Sequence, residues 1–126
     1  LLQAAIERTT EGEAMKTARQ ILDSKISHKE FERQVDDLFA LMGYDLVYKT
    51  WKSLHSPRGF PDRVALRLKD NRLIWAELKK EGDKPTPEQW YWLEALKAIG
   101  QEAYLWYPHD YDEIAKILQE VKSESA

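Results

Sequence analysis

Apolar positions recur at helical spacing in three stretches, and strand-forming runs lie between them. Phe31, Val35, Leu38, Phe39 and Met42 form the first stripe. Ser27-His28-Lys29-Glu30 stands just ahead of it as a capping box, with a hydroxyl at the N-cap and a carboxylate three residues on. The spacing therefore predicts a helix from Ser27 to Met42, with Gly43 as its stop. Glu30 and Gln34 flank one side of the stripe and Glu32 the other. Thr86-Pro87-Glu88-Gln89 opens a second helix with an N-cap Thr, Pro at the first turn and a capping Gln. Leu93, Leu96 and Ile99 give it an apolar side, and Gly100 ends it. A third helix opens at Asp110 or Tyr111 and carries Ile114, Ile117, Leu118 and Val121.

Four strands are expected: Tyr44–Trp51, Asp62–Leu68, Arg72–Lys79 and Glu102–Trp106. Val64, Leu66 and Leu68 share one face of the second. The loop Lys52–Pro61 is broken by Pro and Gly. Asp70-Asn71 is the candidate hairpin turn. A turn there sets Asp62 opposite Lys79, within a residue, and two positions from Glu77 along the ladder. The order is αβββαβα, an α/β architecture with a mixed sheet flanked by helices. Residues 1–26 form an N-terminal helical extension, interrupted near Gly12, and residues 27–121 form the main domain. The tail 122–126 frays.

With 126 residues there is room for one domain. The 43% hydrophobic fraction, with 5 Trp, 6 Tyr and 3 Phe, excludes a disordered chain. No Cys is present, which excludes disulfides and thiolate zinc sites. Only His28, His55 and His109 carry imidazole, so a His-rich cage is not expected. No apolar run crosses a bilayer and no signal peptide is visible, so the expectation is a cytoplasmic protein with no membrane partner. The first residue is Leu, so the chain is read as a possible fragment.

Charge changes the picture. The net charge is −3, yet residues 49–84 hold ten Lys or Arg against five acids. A basic centre in an acidic chain points to an anionic partner, although a solvated hairpin of mixed charge would look the same. In that centre Glu77 and Lys79 lie two apart on a strand and face one way, with Asp62 nearby on the neighbouring strand. Two carboxylates this close repel unless a cation lies between them. With oxygen ligands on offer, that cation is Mg²⁺ or Mn²⁺. A metal, a lysine and a basic surround fit metal-assisted phosphodiester hydrolysis. Taken singly, Glu-x-Lys marks any solvated strand and Pro-Asp any turn.

Gly59-Phe60-Pro61-Asp62, Glu77-Leu78-Lys79 and Thr86-Pro87-Glu88-Gln89 together resemble the motifs of the VRR-NUC (virus-type replication-repair nuclease) domain, of the PD-(D/E)xK restriction-endonuclease-like superfamily. The resemblance runs from about Ser27 to about Leu118. It implies a restriction-endonuclease-like core and a DNA endonuclease using Mg²⁺ or Mn²⁺, with no small-molecule cofactor. Asp62, Glu77 and the Leu78 backbone carbonyl would be metal ligands, Lys79 the catalytic lysine, and Gln89 a residue reaching back to the site or only a cap. An acid of the first helix would complete the site, either Glu30 or Glu32; Glu30 is preferred because it shares a side with Gln34. Relatives place an acid directly after the capping hydroxyl, where this chain has His28, a residue read as packed. The family also implies cytoplasmic bacterial or phage proteins. The substrate it suggests is branched DNA such as four-way junctions, cut by a homodimer. A flap or nick nuclease, or a silent nucleic-acid-binding module, remain alternatives. Lys52, His55, Arg58, Lys80 and Lys84 are candidate phosphate contacts. Trp75 would fill the core or floor the site. Trp90, Tyr91 and Trp92 would serve packing or a dimer contact, and His109 an ordinary loop.

Overall fold

A computed structural model of the chain describes residues 18–51 and 57–122. Residues 18–24 are helical, and α1 follows at His28–Leu41. The Ser27 hydroxyl accepts the Glu30 N–H at 3.1 Å, the cap expected from the sequence. Phe31, Val35, Leu38 and Phe39 are buried, and Gly43 turns the chain away at φ +80°. Strands β1 (Leu46–Lys49), β2 (Arg63–Arg67) and β3 (Arg72–Leu78) run antiparallel in sequence order. Helix α2 (Pro87–Ala98) then crosses over, and β4 (Glu102–Trp106) pairs parallel to β3. A parallel return needs such a crossover. A short 3-10 turn at Pro108–Asp110 leads into α3 (Tyr111–Gln119).

The protein is therefore an α/β fold with a four-stranded mixed sheet between helices. Alternation along β3 divides its side chains. Ile74, Ala76 and Leu78 meet α1 and α3 in one core, with Phe31, Phe39, Trp106, Ile114 and Leu118. Trp75 meets α2 on the other face, in a smaller cluster with Leu93, Leu96 and Ala103. Among the described residues no helix is long and apolar enough to cross a membrane.

Several expectations change. Tyr44 leaves the first strand and packs edge-on to Phe39, its hydroxyl donating to the Leu118 carbonyl. The hairpin turn is not the two-residue Asp70-Asn71. Leu68–Asp70 make a 3-10 turn and Asn71 takes the left-handed conformation at φ +51°. Arg67 then pairs with Arg72 and Arg63 with Ala76. One step further along this register, Asp62 faces Glu77 rather than Lys79. The cause is Arg67, whose Nε and Nη2 donate to the two Asp70 oxygens at 2.9 and 2.7 Å. That pair draws Asp70 inward and expels Leu68 from the strand to the surface. Val64 and Leu66 do share a face and are half-buried, without Leu68.

The basic centre also changes meaning. Arg63, Arg67 and Arg72 are buried and held in ion pairs with Asp36, Asp70 and Glu102. Arg67 also donates to the Met42, Leu118 and Glu120 carbonyls, and Arg72 to those of Ile117 and Glu120. These two guanidinium groups thus satisfy carbonyls at the end of α3, where a helix leaves them without partners and where positive charge is favoured. Three of the ten cations are structural and do not face an external anion.

Candidate active site

The Gly59-Phe60-Pro61-Asp62 loop is positioned by α2. Gly59 lies at φ +82°, and a Cβ there would come within 2.4 Å of the Glu88 carbonyl carbon. Only glycine allows the loop to press on the first turn of the helix. Phe60 packs edge-on against Trp75 and Trp92, while Trp92 Nε1 donates to the Arg58 carbonyl. Pro61 is buried, and the Asp62 carbonyl accepts the Thr50 N–H. The loop thus delivers Asp62 to the open end of the hairpin, next to the last residues of β3.

Four functional candidates converge there around the Leu78 peptide. Asp62 is 3% exposed, and its Oδ2 accepts the Leu78 N–H at 3.0 Å. Glu77, 1% exposed, accepts the Gln89 side-chain amide at 3.0 Å on Oε2. The Lys79 ammonium lies 3.8 Å from the same Oε2. Gln89 performs both roles considered for it: its Oε1 accepts the Thr86 N–H in the capping box while its Nε2 holds Glu77. A helix start thereby fixes the rotamer of a buried acid.

The helix acids are placed differently. Glu30 lies exposed on α1 beside Arg33, at 3.6 Å, and is not brought to this cluster. Glu32 turns inward. One of its oxygens lies 3.1 Å from His28 Nδ1 and the other 3.5 Å from Arg63 Nη2. The contact from α1 to the site is made by His28, whose Nε2 lies 2.8 Å from the Leu78 carbonyl oxygen. The apolar stripe alone predicts only packing for His28. The signal for it is its position directly after the capping hydroxyl, where the VRR-NUC resemblance leads one to expect an acid.

Arg63 binds this side of the site together. It donates to Asp36 at 2.8 and 3.1 Å and to the Asp62 carbonyl at 2.9 Å. Burial alone would lower its proton affinity, but the Asp36 hydrogen bonds and the charges of Asp36, Glu32 and Asp62 raise it above the ordinary value. It remains a cation beneath the acids.

Arg58, Lys80 and Lys84 are exposed on the loops next to β2 and β3. The loop after β3 is tied down by Tyr107, whose hydroxyl donates to the Asp83 carbonyl at 2.7 Å. Burial, with the charges of Glu81, Asp83 and Asp110, pushes the Tyr107 phenol up. His109 also serves this loop, with Nδ1 2.7 Å from Glu81. Lys52 and His55 lie outside the described residues. Trp75 is half-buried in the α2 core with its indole N–H on Gln101, so it packs rather than floors the site. Trp90 and Tyr91 are exposed.

Two buried carboxylates and a backbone carbonyl make a hard, all-oxygen donor set of the kind that suits Mg²⁺ or Mn²⁺, with the Lys79 ammonium beside it. Among the described residues no three His, Asp or Glu side chains already stand gathered as a complete set of metal ligands. An ion here would draw its remaining ligands from water, substrate or small side-chain movements. No family model, curated protein or solved structure matches the chain.

Proposed function

We propose that the chain is a divalent-metal-dependent endonuclease that hydrolyses phosphodiester bonds in structured DNA, with a VRR-NUC-like, restriction-endonuclease-like core. The observation that carries this reading is the convergence of Asp62, Glu77, Lys79 and the Leu78 peptide at one end of a hairpin, with both carboxylates buried. The mixed sheet supports it: three antiparallel strands followed by a helical crossover to a parallel fourth are compatible with that core.

Asp62 and Glu77 would hold the ion, with the Leu78 carbonyl as a further donor. When bound, the ion polarises the phosphate and makes water a nucleophile at neutral pH. Lys79, beside Glu77, steadies the attacking water or a non-bridging phosphate oxygen. The water oxygen bonds to phosphorus and releases a proton to solvent, one P–O ester bond breaks, and the departing alkoxide takes a proton from solvent. Gln89 keeps Glu77 in place through the reaction. Arg58, Lys80 and Lys84 meet phosphates along the strand, joined in this reading by Lys52 and His55. One small domain has one such site, so symmetric cutting of a four-way junction calls for a twofold homodimer.

The test is incubation of the chain with a labelled four-way junction, a flap and a plain duplex, under Mg²⁺, Mn²⁺ or chelator. Metal-dependent cuts in the junction are the expected result. Cuts confined to the flap would move the substrate and remove the argument for a dimer. Intact DNA in every lane, with salt-sensitive binding that survives chelator, would replace the nuclease with a binding module.

A further inference from the structure

His28 holds both ring nitrogens against acceptors. Nδ1 faces the Glu32 carboxylate at 3.1 Å and Nε2 faces the Leu78 carbonyl at 2.8 Å. A neutral imidazole has a single N–H. If Glu32 takes it, the Nε2 lone pair points at a carbonyl lone pair, and a cation between the two removes the conflict. The spacing suits one: cis ligands of an octahedral ion with bonds of about 2.1 Å stand about 3.0 Å apart. Glu32 is itself oriented by Arg63, and Arg63 by Asp36. A ligand imidazole steadied by a carboxylate on its other nitrogen is a recurrent metal-site arrangement.

We propose that His28 is the helix-borne ligand of the cation site, standing where an acid was expected, and that Glu32 is the positioning residue that orients it. The inference rests on the reading of Asp62 and Glu77 as metal ligands. It adds a nitrogen donor to an oxygen set, which shifts preference from Mg²⁺ toward Mn²⁺. Glu30 has no part in it.

The test uses the untagged full chain with Mn²⁺ alone, without DNA. Electron paramagnetic resonance gives the affinity, and electron spin echo modulation detects nitrogen bonded to the bound ion. The expected result is ¹⁴N modulation in the wild type that disappears in His28→Ala and in His28→Gln. The Mn²⁺ Kd should weaken by about tenfold or more in both, and by about tenfold in Glu32→Gln. Mg²⁺, measured by competition, should lose less. Bound Mn²⁺ without nitrogen modulation, or modulation that persists in both His28 variants, overturns the role of His28 and leaves the carboxylate site standing. No Mn²⁺ bound by the wild type above the level of Asp62→Asn overturns both readings. The modulation is read first on the wild type, so the test does not hinge on how a variant folds.

Discussion

At the turn end of the β2–β3 hairpin, Arg67 and Arg72 each clasp a carboxylate with two hydrogen bonds and spend other N–H groups on carbonyls at the ends of α1 and α3. At the open end of the same two strands, Asp62 takes a backbone N–H, Glu77 takes a neutral amide, and one lysine stands 3.8 Å away. Both ends bury acids. The turn end matches acids with guanidinium groups in fixed geometry, as a structural core requires. At the open end, hydrogen bonds on the acids come from a backbone N–H and a side-chain amide, while the cations Lys79 and Arg63 stand beside them without a two-bond clasp on either carboxylate. On the proposed reading, that difference in how the acids are held separates scaffold from site.

The comparison is broken most directly by neutralising the open end. Asp62→Asn or Glu77→Gln should lower metal-dependent cleavage of branched DNA by at least roughly a thousandfold, the scale of several kcal/mol of transition-state stabilisation. The melting temperature should hold or rise, because removing one of two neighbouring charges relieves repulsion. Cleavage rates and thermal melts on the same preparations check both halves. Retained activity would remove the site, and unfolding would show that the acids are scaffold.

The turn end should behave in the opposite way. Arg67→Ala leaves Asp70 buried without its guanidinium partner and takes one donor each from the Met42, Leu118 and Glu120 carbonyls, and should cost about 3–5 kcal/mol in urea unfolding. Acid should act here too. Hydrogen bonds from Arg67, outweighing burial and helped by the Lys122 N–H, hold the Asp70 carboxyl well below the usual carboxylate range. Its contribution is therefore fully present above its unfolded value, near pH 4 or a little below, and is lost as pH falls through the lower folded value. Burial pushes the Glu102 carboxyl up, but hydrogen bonds from Arg72 and Tyr104 outweigh it and bring it down, so it adds in the same window. Stability measured from pH 5 downward should fall in the wild type and fall less steeply in Asp70→Asn.

The sequence made the helices legible because their ends are written locally: Ser27 and Thr86 cap where expected, and β4 falls on its expected span. The hairpin register was not legible. It turns on Arg67 choosing Asp70 as a partner, and a charge three residues from another reads as surface until burial is known. The same blindness made Arg63, Arg67 and Arg72 look like part of an anion-binding patch. At the site, the hairpin spacing grouped Asp62, Glu77 and Lys79, while Gln89 was placed with them only by the resemblance. His28 was hidden because its contact with Leu78 spans 50 positions in the chain.

Between the two ends lies a joint that tunes the site from outside it. Gly59→Ala would place a methyl against the α2 backbone in a left-handed conformation. The expected cost is about 1–3 kcal/mol in chemical unfolding, together with slower cleavage, as Asp62 and Gln89 move apart. A stable variant with unchanged activity would show that the loop does not position the acid.

The smallest expected effect is also the finest test. Gln89→Ala removes half of a capping box and the amide on Glu77, and should cost about 1 kcal/mol. Gln89→Glu keeps an oxygen for the Thr86 N–H, so the cap survives, but it replaces the donor to Glu77 with a third carboxylate. If a cation binds at the open end, this variant should stay near wild-type stability in low-millimolar Mn²⁺ and lose stability when chelator is added. Thermal melts with and without the ion read that difference. Equal melts in both conditions would mean that no cation answers the charge there, and the two ends of the hairpin would no longer differ in kind.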